Sequence, residues 1–280
     1  MNIHNLLTEI EKTDPEVYDR LDTRRSAMKQ FAKTGGRIAL TALPLLFGGM
    51  FKKAYAGTND SITEVLNYAL TLEYLEAEFY ATAAAKAGLV PSGAPAGAIA
   101  TIRDHEAAHV TFLKTAITAS GGTPVSKPTF DFSAGNGSGN GPLKDVFSDY
   151  KLFLAVAQTF EDTGVRAYKG RAGELMSNNE VLTAALQIHS VEARHASHIR
   201  SMRRSVLAND SIKPWITGKD TGGIGALVQA SYDGEEITKQ ANIEITGING
   251  TSVSANAASE AFDEPLTKEQ VLAIVDPFIA

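Results

Sequence analysis

The chain has 280 residues, 44% of them hydrophobic, and a formal net charge of −6, the make-up of an ordinary globular protein with room for one large domain or two small ones. It contains no cysteine, so disulfides, thiolate metal sites, iron–sulfur clusters and cysteine nucleophiles are excluded. Any metal must be held by histidine and carboxylate.

Residues 1–56 differ in kind from the rest. A polar, helix-patterned stretch over 1–22 leads into Thr23-Arg24-Arg25-Ser26-Ala27-Met28-Lys29 and then an apolar run from Ile38 to Phe51. That run has 14 residues, short of the roughly 20 that span a bilayer, so it reads as a signal-peptide core. Lys52-Lys53 and the small-x-small triplet Ala54-Tyr55-Ala56 close it as a cleavage site would. The arginine pair resembles a twin-arginine export signal, with Thr23 in the serine place and Ala27 where phenylalanine is preferred. An ordinary Sec signal or an uncleaved amphipathic anchor is the alternative. The expectation is an exported protein, periplasmic or extracellular, whose mature part begins at Gly57. Such a route carries folded proteins, often with a cofactor loaded. The segment holds nine Lys/Arg and six Asp/Glu, which leaves 17 basic and 26 acidic residues beyond it, a net charge of −9 that argues against nucleic acid as a partner.

From Asp60 the apolar residues Ile62, Val65, Leu66, Ala69, Leu70, Leu72, Leu75 and Phe79 recur at three-four spacing, with Asp60 or Ser61 as N-cap. This predicts a helix A over 60–87. Gly88, Pro91, Gly93, Pro95 and Gly97 mark a short loop, and helix B follows over 96–119, up to Gly121-Gly122. So short a link makes A and B antiparallel neighbours. Residues 121–142, with the glycine-rich Gly135 to Gly141, are long for a loop and read as a crossover along the length of a bundle. Helix C is predicted over 143–170, with Val146, Tyr150, Phe153, Leu154, Ala157, Phe160, Glu161, Gly164 and Tyr168 along one side. Helix D is predicted over 177–207, where Leu182, Ala185, Leu186, Ile188, Val191, Ile199 and Met202 flank Glu192 and His195. The outcome is an all-α, four-helix bundle over 57–207 with a long B–C crossover. Residues 208–280 form an irregular extension expected to pack on it. Ala241 to Gly247 suggests a hairpin there, and Thr267 to Ile279 a short helix capped by Thr267.

The chemistry lies in a repeat. Asp104-His105-Glu106-Ala107-Ala108-His109 and Glu192-Ala193-Arg194-His195 both carry Glu-x-x-His. On a helix those two side chains stand about 60° apart around the axis and about 4.5 Å along it, so both reach one point. That mixture of ligands suits a divalent first-row metal, whereas calcium or magnesium takes oxygen alone. Each motif follows a lone glutamate on the preceding helix, Glu73 by 33 residues and Glu161 by 31, and each of these precedes a tyrosine by seven, Tyr80 and Tyr168. Helices A–B and C–D thus look like two copies of one unit. At about 1.5 Å per residue, Glu73, Glu106, Glu161 and Glu192 all fall roughly 14–21 Å from the hairpin turns, at one level. The candidate ligands are Glu73, Glu106, His109, Glu161, Glu192 and His195. Glu76 shares the inward stripe with Glu73, but helix C has Gly164 at the matching place, which leaves Glu76 as an extra ligand, a hydrogen-bonding neighbour or a surface residue. His105, His189 and His198 are expected beside the ligands or facing solvent. Tyr80 and Tyr168 are expected either to hydrogen-bond ligand carboxylates or to fill the core.

The pattern resembles the ferritin-like superfamily, whose di-iron members place one Glu on each of two helices and Glu-x-x-His on the other two. Leu72-Glu73-Tyr74-Leu75-Glu76-Ala77-Glu78-Phe79-Tyr80 and His105-Glu106-Ala107-Ala108-His109 are similar to exported ferritin-like proteins related to plant desiccation-related proteins. The likeness covers about 60–207, with a weaker extension to Phe262-Asp263-Glu264-Pro265-Leu266-Thr267-Lys268-Glu269. It implies a dinuclear centre. Charge agrees, since two divalent ions carry +4 against four buried glutamates, and a carboxylate-rich set suits iron or manganese. Three function classes follow: a di-metal redox enzyme acting on a small oxidant, dioxygen or peroxide; a dimanganese catalase-like enzyme; and a non-catalytic stress-associated or metal-binding protein. A homo-oligomer is compatible with all three.

Overall fold

This computed structural model describes residues 60–240 and 242–280, so the export signal expected at 1–56 lies outside the described residues. Helix α1 (Asp60–Ala85) carries its three-four stripe inward: Ile62, Val65, Leu66, Ala69, Leu70, Leu72, Leu75 and Phe79 are all buried. It ends before Gly88, whose φ of 79° only glycine adopts cheaply. Helix α2 (Ala94–Ala119) starts two residues earlier than the sequence suggested, because Pro95 is tolerated in a first turn, where its missing N–H has no helical partner anyway. Among the described residues no helix is long and apolar enough to cross a membrane.

The crossover runs as predicted along the bundle. Asn67 of α1 brackets its start, donating to the Thr123 carbonyl at 3.2 Å and accepting from the Val125 amide at 2.8 Å. Tyr74, two turns on, donates to the Val125 carbonyl at 3.3 Å, and Lys127 then pairs with Glu78. Beyond it Phe132 reaches the Phe79 ring at 5.5 Å. The chain has thus been carried along α1 from Asn67 to Phe79 before the next helix begins.

That helix, α3 (Tyr150–Ala172), begins later than the predicted 143. Leu143 to Ser148 form hydrogen-bonded turns, and the helix starts only where Asp149, extended, accepts from the amides of Lys151 and Leu152. Val146 is buried nonetheless, so its apolar signal was real but belonged to a turn. Every residue from Phe153 to Tyr168 is buried, which makes α3 the central helix. A 3-10 turn at Gly173–Leu175 leads to α4 (Asn179–Leu207), capped by the Asn178 side chain on the amides of Glu180 and Val181. Leu186, expected on the inner face, is 44% exposed. The α1–α2 and α3–α4 hairpins pack closely within themselves, while α2 and α4 meet only thinly.

The C-terminal segment covers α3. It contains a short hairpin, β1 (Lys239–Gln240) against β2 (Ile243–Glu244), then α5 (Ala255–Ser259) and α6 (Lys268–Val275). Thr267 caps α6 through a reciprocal box with Gln270. Leu266, Val271, Val275 and Phe278 join a core that includes Phe79, Phe153 and Phe160. The approach is closest at Gly170, where an added Cβ would stand 2.0 Å from the Leu266 carbonyl oxygen.

Gly170→Ala is therefore expected to lower stability by about 1–3 kcal/mol through overpacking against backbone that cannot yield. Gly173→Ala, three residues on with nothing near its Cβ position, serves as the control and should leave the melting temperature unchanged or slightly higher. Thermal melts of the two variants decide it; equal melting temperatures would show that the extension does not clamp on α3.

Candidate metal centre

The four glutamates of the two repeat units, Glu73, Glu106, Glu161 and Glu192, are fully buried, one from each helix, and His109 and His195 are nearly so. Their polar atoms converge into two groups, Glu73–Glu106–His109–Glu192 and Glu106–Glu161–Glu192–His195, each with one ligand atom per residue within 4.8 Å of the others. Glu106 and Glu192 belong to both. Glu73 and Glu161 each belong to one.

His109 Nδ1 lies 3.1 Å from Glu73 Oε2, Glu106 Oε2 and Glu192 Oε1. One ring nitrogen has one hydrogen and cannot donate to three oxygens. His195 Nδ1 lies 2.8 Å from Glu106 Oε1, 3.3 Å from Glu161 Oε2 and 3.5 Å from Glu192 Oε2. Despite those distances, Glu106 Oε1, Glu161 Oε2, both Glu192 oxygens and His195 Nδ1 are buried without a hydrogen bond. Buried polar atoms left unpaired are costly, and these five converge in the two groups that share Glu106 and Glu192. A donor set of this kind fits cations.

The surroundings brace the carboxylates crosswise. Tyr80 of α1 donates to Glu161 Oε1 of α3 at 2.5 Å, and Tyr168 of α3 donates to Glu73 Oε1 of α1. Of the two roles open to these tyrosines, hydrogen bonding to the carboxylates is the one seen, and burial holds both phenols well above their ordinary pKa, as neutral donors. Glu76 is buried, so it is no surface residue. Its Oε1 lies 3.3 Å from where a Cβ on Gly164 would stand, so the glycine of one repeat unit makes room for the extra glutamate of the other. His189 Nδ1 contacts the Val165 carbonyl at 2.9 Å, His198 is exposed, and His105 Nδ1 contacts His195 Nε2 at 2.9 Å.

The metal-free charges are strained. Burial pushes Glu106 and Glu161 up to about 7 and raises Glu192, with neighbouring carboxylates adding to the effect. Glu76 is raised well above the carboxylate range by burial and then by Glu192 and Glu161. Burial would pull the imidazoles down, but Glu73 drives His109 far above its usual value, and Glu161 with Glu106 and Glu192 pushes His195 up to about 12. Burial raises Glu73 too, but His109, with hydrogen bonds from Glu106 and Tyr168, outweighs it and leaves Glu73 below its ordinary value.

Sequence reasoning missed a second buried polar cluster on the other side of α3. Asp162 accepts from Arg200 Nη2 at 2.5 Å and from the Tyr232 hydroxyl at 2.8 Å, and Gln158 donates to that hydroxyl at 3.0 Å. Arg203 donates to Gln158 Oε1 and to the Gly222 carbonyl. Arg166 pairs with Glu235 at 2.7 Å and donates to the carbonyls of Ser231, Asp233 and Glu264. The signal was present as Gln158, Asp162 and Arg166 at four-residue spacing, a polar stripe on a helix that is buried all round.

Fold and site together define a four-helix bundle with a carboxylate–histidine centre between its hairpins. The chain belongs to the family of ferritin-like domains, whose family model matches residues 61–205. No curated protein and no solved structure gives a significant match.

Glu106, Glu161 and His195 bind protons more tightly in the folded than in the unfolded chain, so each loses its contribution as pH rises. For the two carboxyls the window runs from the ordinary 4.5 through about 7, and for His195 from 6.5 toward about 12. Glu73 acts in the opposite sense, but only as pH falls through its lowered value. The melting temperature of chelator-treated protein is expected to fall between about pH 5 and 8. Circular dichroism melts test this, and a rise across that interval would contradict the charge arrangement.

Proposed function

We propose that the chain is an exported redox protein whose bundle holds two iron or manganese ions between Glu73, Glu106, His109, Glu161, Glu192 and His195 and uses them on a small oxidant, dioxygen or peroxide. The observation that carries this reading is the sharing of Glu106 and Glu192 by two four-residue groups, each completed by one histidine and one unshared glutamate. Four carboxylates against two divalent ions balance in charge, which removes the strain of the metal-free cluster. Arg24-Arg25, the short apolar run and Ala54-x-Ala56 support export.

When bound, such ions supply electrons and a place for the oxidant to be activated. The chain supplies the rest. Tyr80 and Tyr168 fix the Glu161 and Glu73 carboxylates by hydrogen bonds, and the apolar bundle interior excludes water. Glu76 stands beside these carboxylates, and burial, then Glu192 and Glu161, hold its carboxyl group well above the ordinary carboxylate range. It lines a cavity of about 10 Å³ with Leu72, Phe160, Thr163 and Val275. A non-catalytic role, as a structural or iron-buffering site in a stress-associated protein, is the second reading. It is favoured by the depth of the centre, since all four glutamates are fully buried.

The purified protein should carry about two iron or manganese ions per chain, the number a four-Glu, two-His set holds in such bundles. Elemental analysis after expression with each metal measures it; less than half an ion under every loading would refute the centre. Peroxide turnover and dioxygen consumption by the loaded protein separate enzyme from buffer.

His109→Ala and His195→Ala should each weaken metal binding, with little added by combining them once the centre is lost. A ligand present at a hundred times its Kd stabilises a fold by about 2.7 kcal/mol. A chelator should therefore lower the melting temperature of the parent protein but not that of the double variant. Glu76→Ala should be milder than Glu73→Ala.

A further inference from the structure

The two halves of the centre are built from equivalent residues, but only one has a partner behind its histidine. His195 turns Nδ1 toward Glu106, Glu161 and Glu192 and presents Nε2 to His105 Nδ1, 2.9 Å away, with the two rings end to end, their centroids 5.2 Å apart and their planes inclined by 16°. His109 turns Nδ1 inward in the same way, yet among the described residues no side chain hydrogen-bonds its other nitrogen. The repeat explains the difference. His105 stands directly before Glu106, and the matching position before Glu192 is Val191, which has nothing to offer an imidazole.

A histidine that ligates through Nδ1 must carry its hydrogen on Nε2. That hydrogen then needs an acceptor, and His105 Nδ1 is placed to be one, with its own hydrogen on Nε2. The contact selects the tautomer of His195 and holds the ring plane, the two things an outer partner does for a ligating histidine. His105 is itself exposed on α2 and α4 crosses it thinly, so the pair bridges two helices that otherwise touch little.

We propose that His105 is a positioning residue for His195 and that it makes the Glu106–Glu161–Glu192–His195 half of the centre bind its ion more tightly than the Glu73–Glu106–His109–Glu192 half. The inference rests on the metal-centre reading above and adds an inequality between its two positions. Loss of an outer partner of this kind typically costs 10–100-fold in metal affinity.

The test is a titration of metal-free full-length protein with manganese(II), followed by isothermal calorimetry and counted by elemental analysis. In the parent, two unequal affinities are expected. His105→Leu should weaken the tighter step by about 10–100-fold and leave the other within a few-fold. His105→Asn, which can put its amide oxygen near the place of Nδ1, should restore most of the loss, which a general disturbance of α2 would not allow. Metal-free melting temperatures of the His105 variants should stay close to the parent's, because the residue is exposed and gives up a single inter-helix contact. A parent that binds no manganese overturns the metal-centre reading and this inference with it. A parent that binds two ions while His105→Leu titrates identically, or while His105→Asn is as damaged as His105→Leu, overturns the inference alone.

Discussion

Five glutamates in one bundle interior set the terms for the rest of this molecule. Carboxylates taken out of water must protonate or find positive partners, and two imidazoles cannot neutralise five acids. The protein concentrates the problem at one level, with each of the four helices contributing, and surrounds it with groups that give hydrogen bonds without adding negative charge. The crossed tyrosines show the economy of the arrangement. Each comes from the hairpin opposite to its glutamate's partner histidine, so the same two hydrogen bonds that orient the carboxylates also tie α1 to α3. The polar centre thereby does part of the joining that side-chain packing does elsewhere, which suits a bundle whose α2 and α4 meet only thinly.

Helix α3 explains why the chain continues past the bundle. A helix buried around its whole circumference is normally apolar all round. This one is not, since Glu161 faces the centre on one side while Gln158, Asp162 and Arg166 project on another. Those polar groups need partners in a dry place, and the C-terminal segment brings Tyr232, Glu235 and a row of backbone carbonyls to meet them. Arg200 and Arg203 of α4 complete the cluster. The extension is thus the other half of a polar interface, and its removal would leave Arg166 without Glu235 and Asp162 without the Tyr232 hydroxyl. A buried ion pair adds little to stability when whole but costs much when one partner is lost.

Local periodicity made much of this legible. The inward stripe of α1, the Glu-x-x-His pairs and the spacing from Glu73 to Tyr80 and from Glu161 to Tyr168 are all within reach of helix geometry. The crossover could be read from the length of 121–142, because a chain that runs so far between packed helices has a distance to cover. What escaped depends on partners distant in sequence. Val146 looked helical because it is buried, yet burial comes from the core it plugs and the helix waits for Asp149 to cap it. Leu186 looked buried for its type, yet its place on α4 faces outward. The Asp162 cluster was invisible because its partners lie 38 to 70 residues away, and nothing in a stripe of Gln, Asp and Arg tells a solvated face from a covered one.

The most informative positions are those where the two repeat units disagree. Duplicated units held about a common axis would by themselves give two like ligand sets and hence two like ion positions. In the two-ion centre proposed above, inequality would let one position hold its ion while the other stays open to exchange or to a substrate. Gly164 against Glu76 breaks the symmetry inside the cluster: one unit supplies a fifth carboxylate and the other supplies the space for it, a trade that an alanine at 164 would crowd at 3.3 Å. Val191 against His105 breaks it behind the cluster, and the covering segment breaks it outside, since it lies over α3. Each departure is local and physically cheap: a missing side chain, an imidazole for a valine, a tail on one side. Together they turn a duplicated scaffold into one with distinguishable sides, and the residues that do so lie outside the six that the repeat itself picks out.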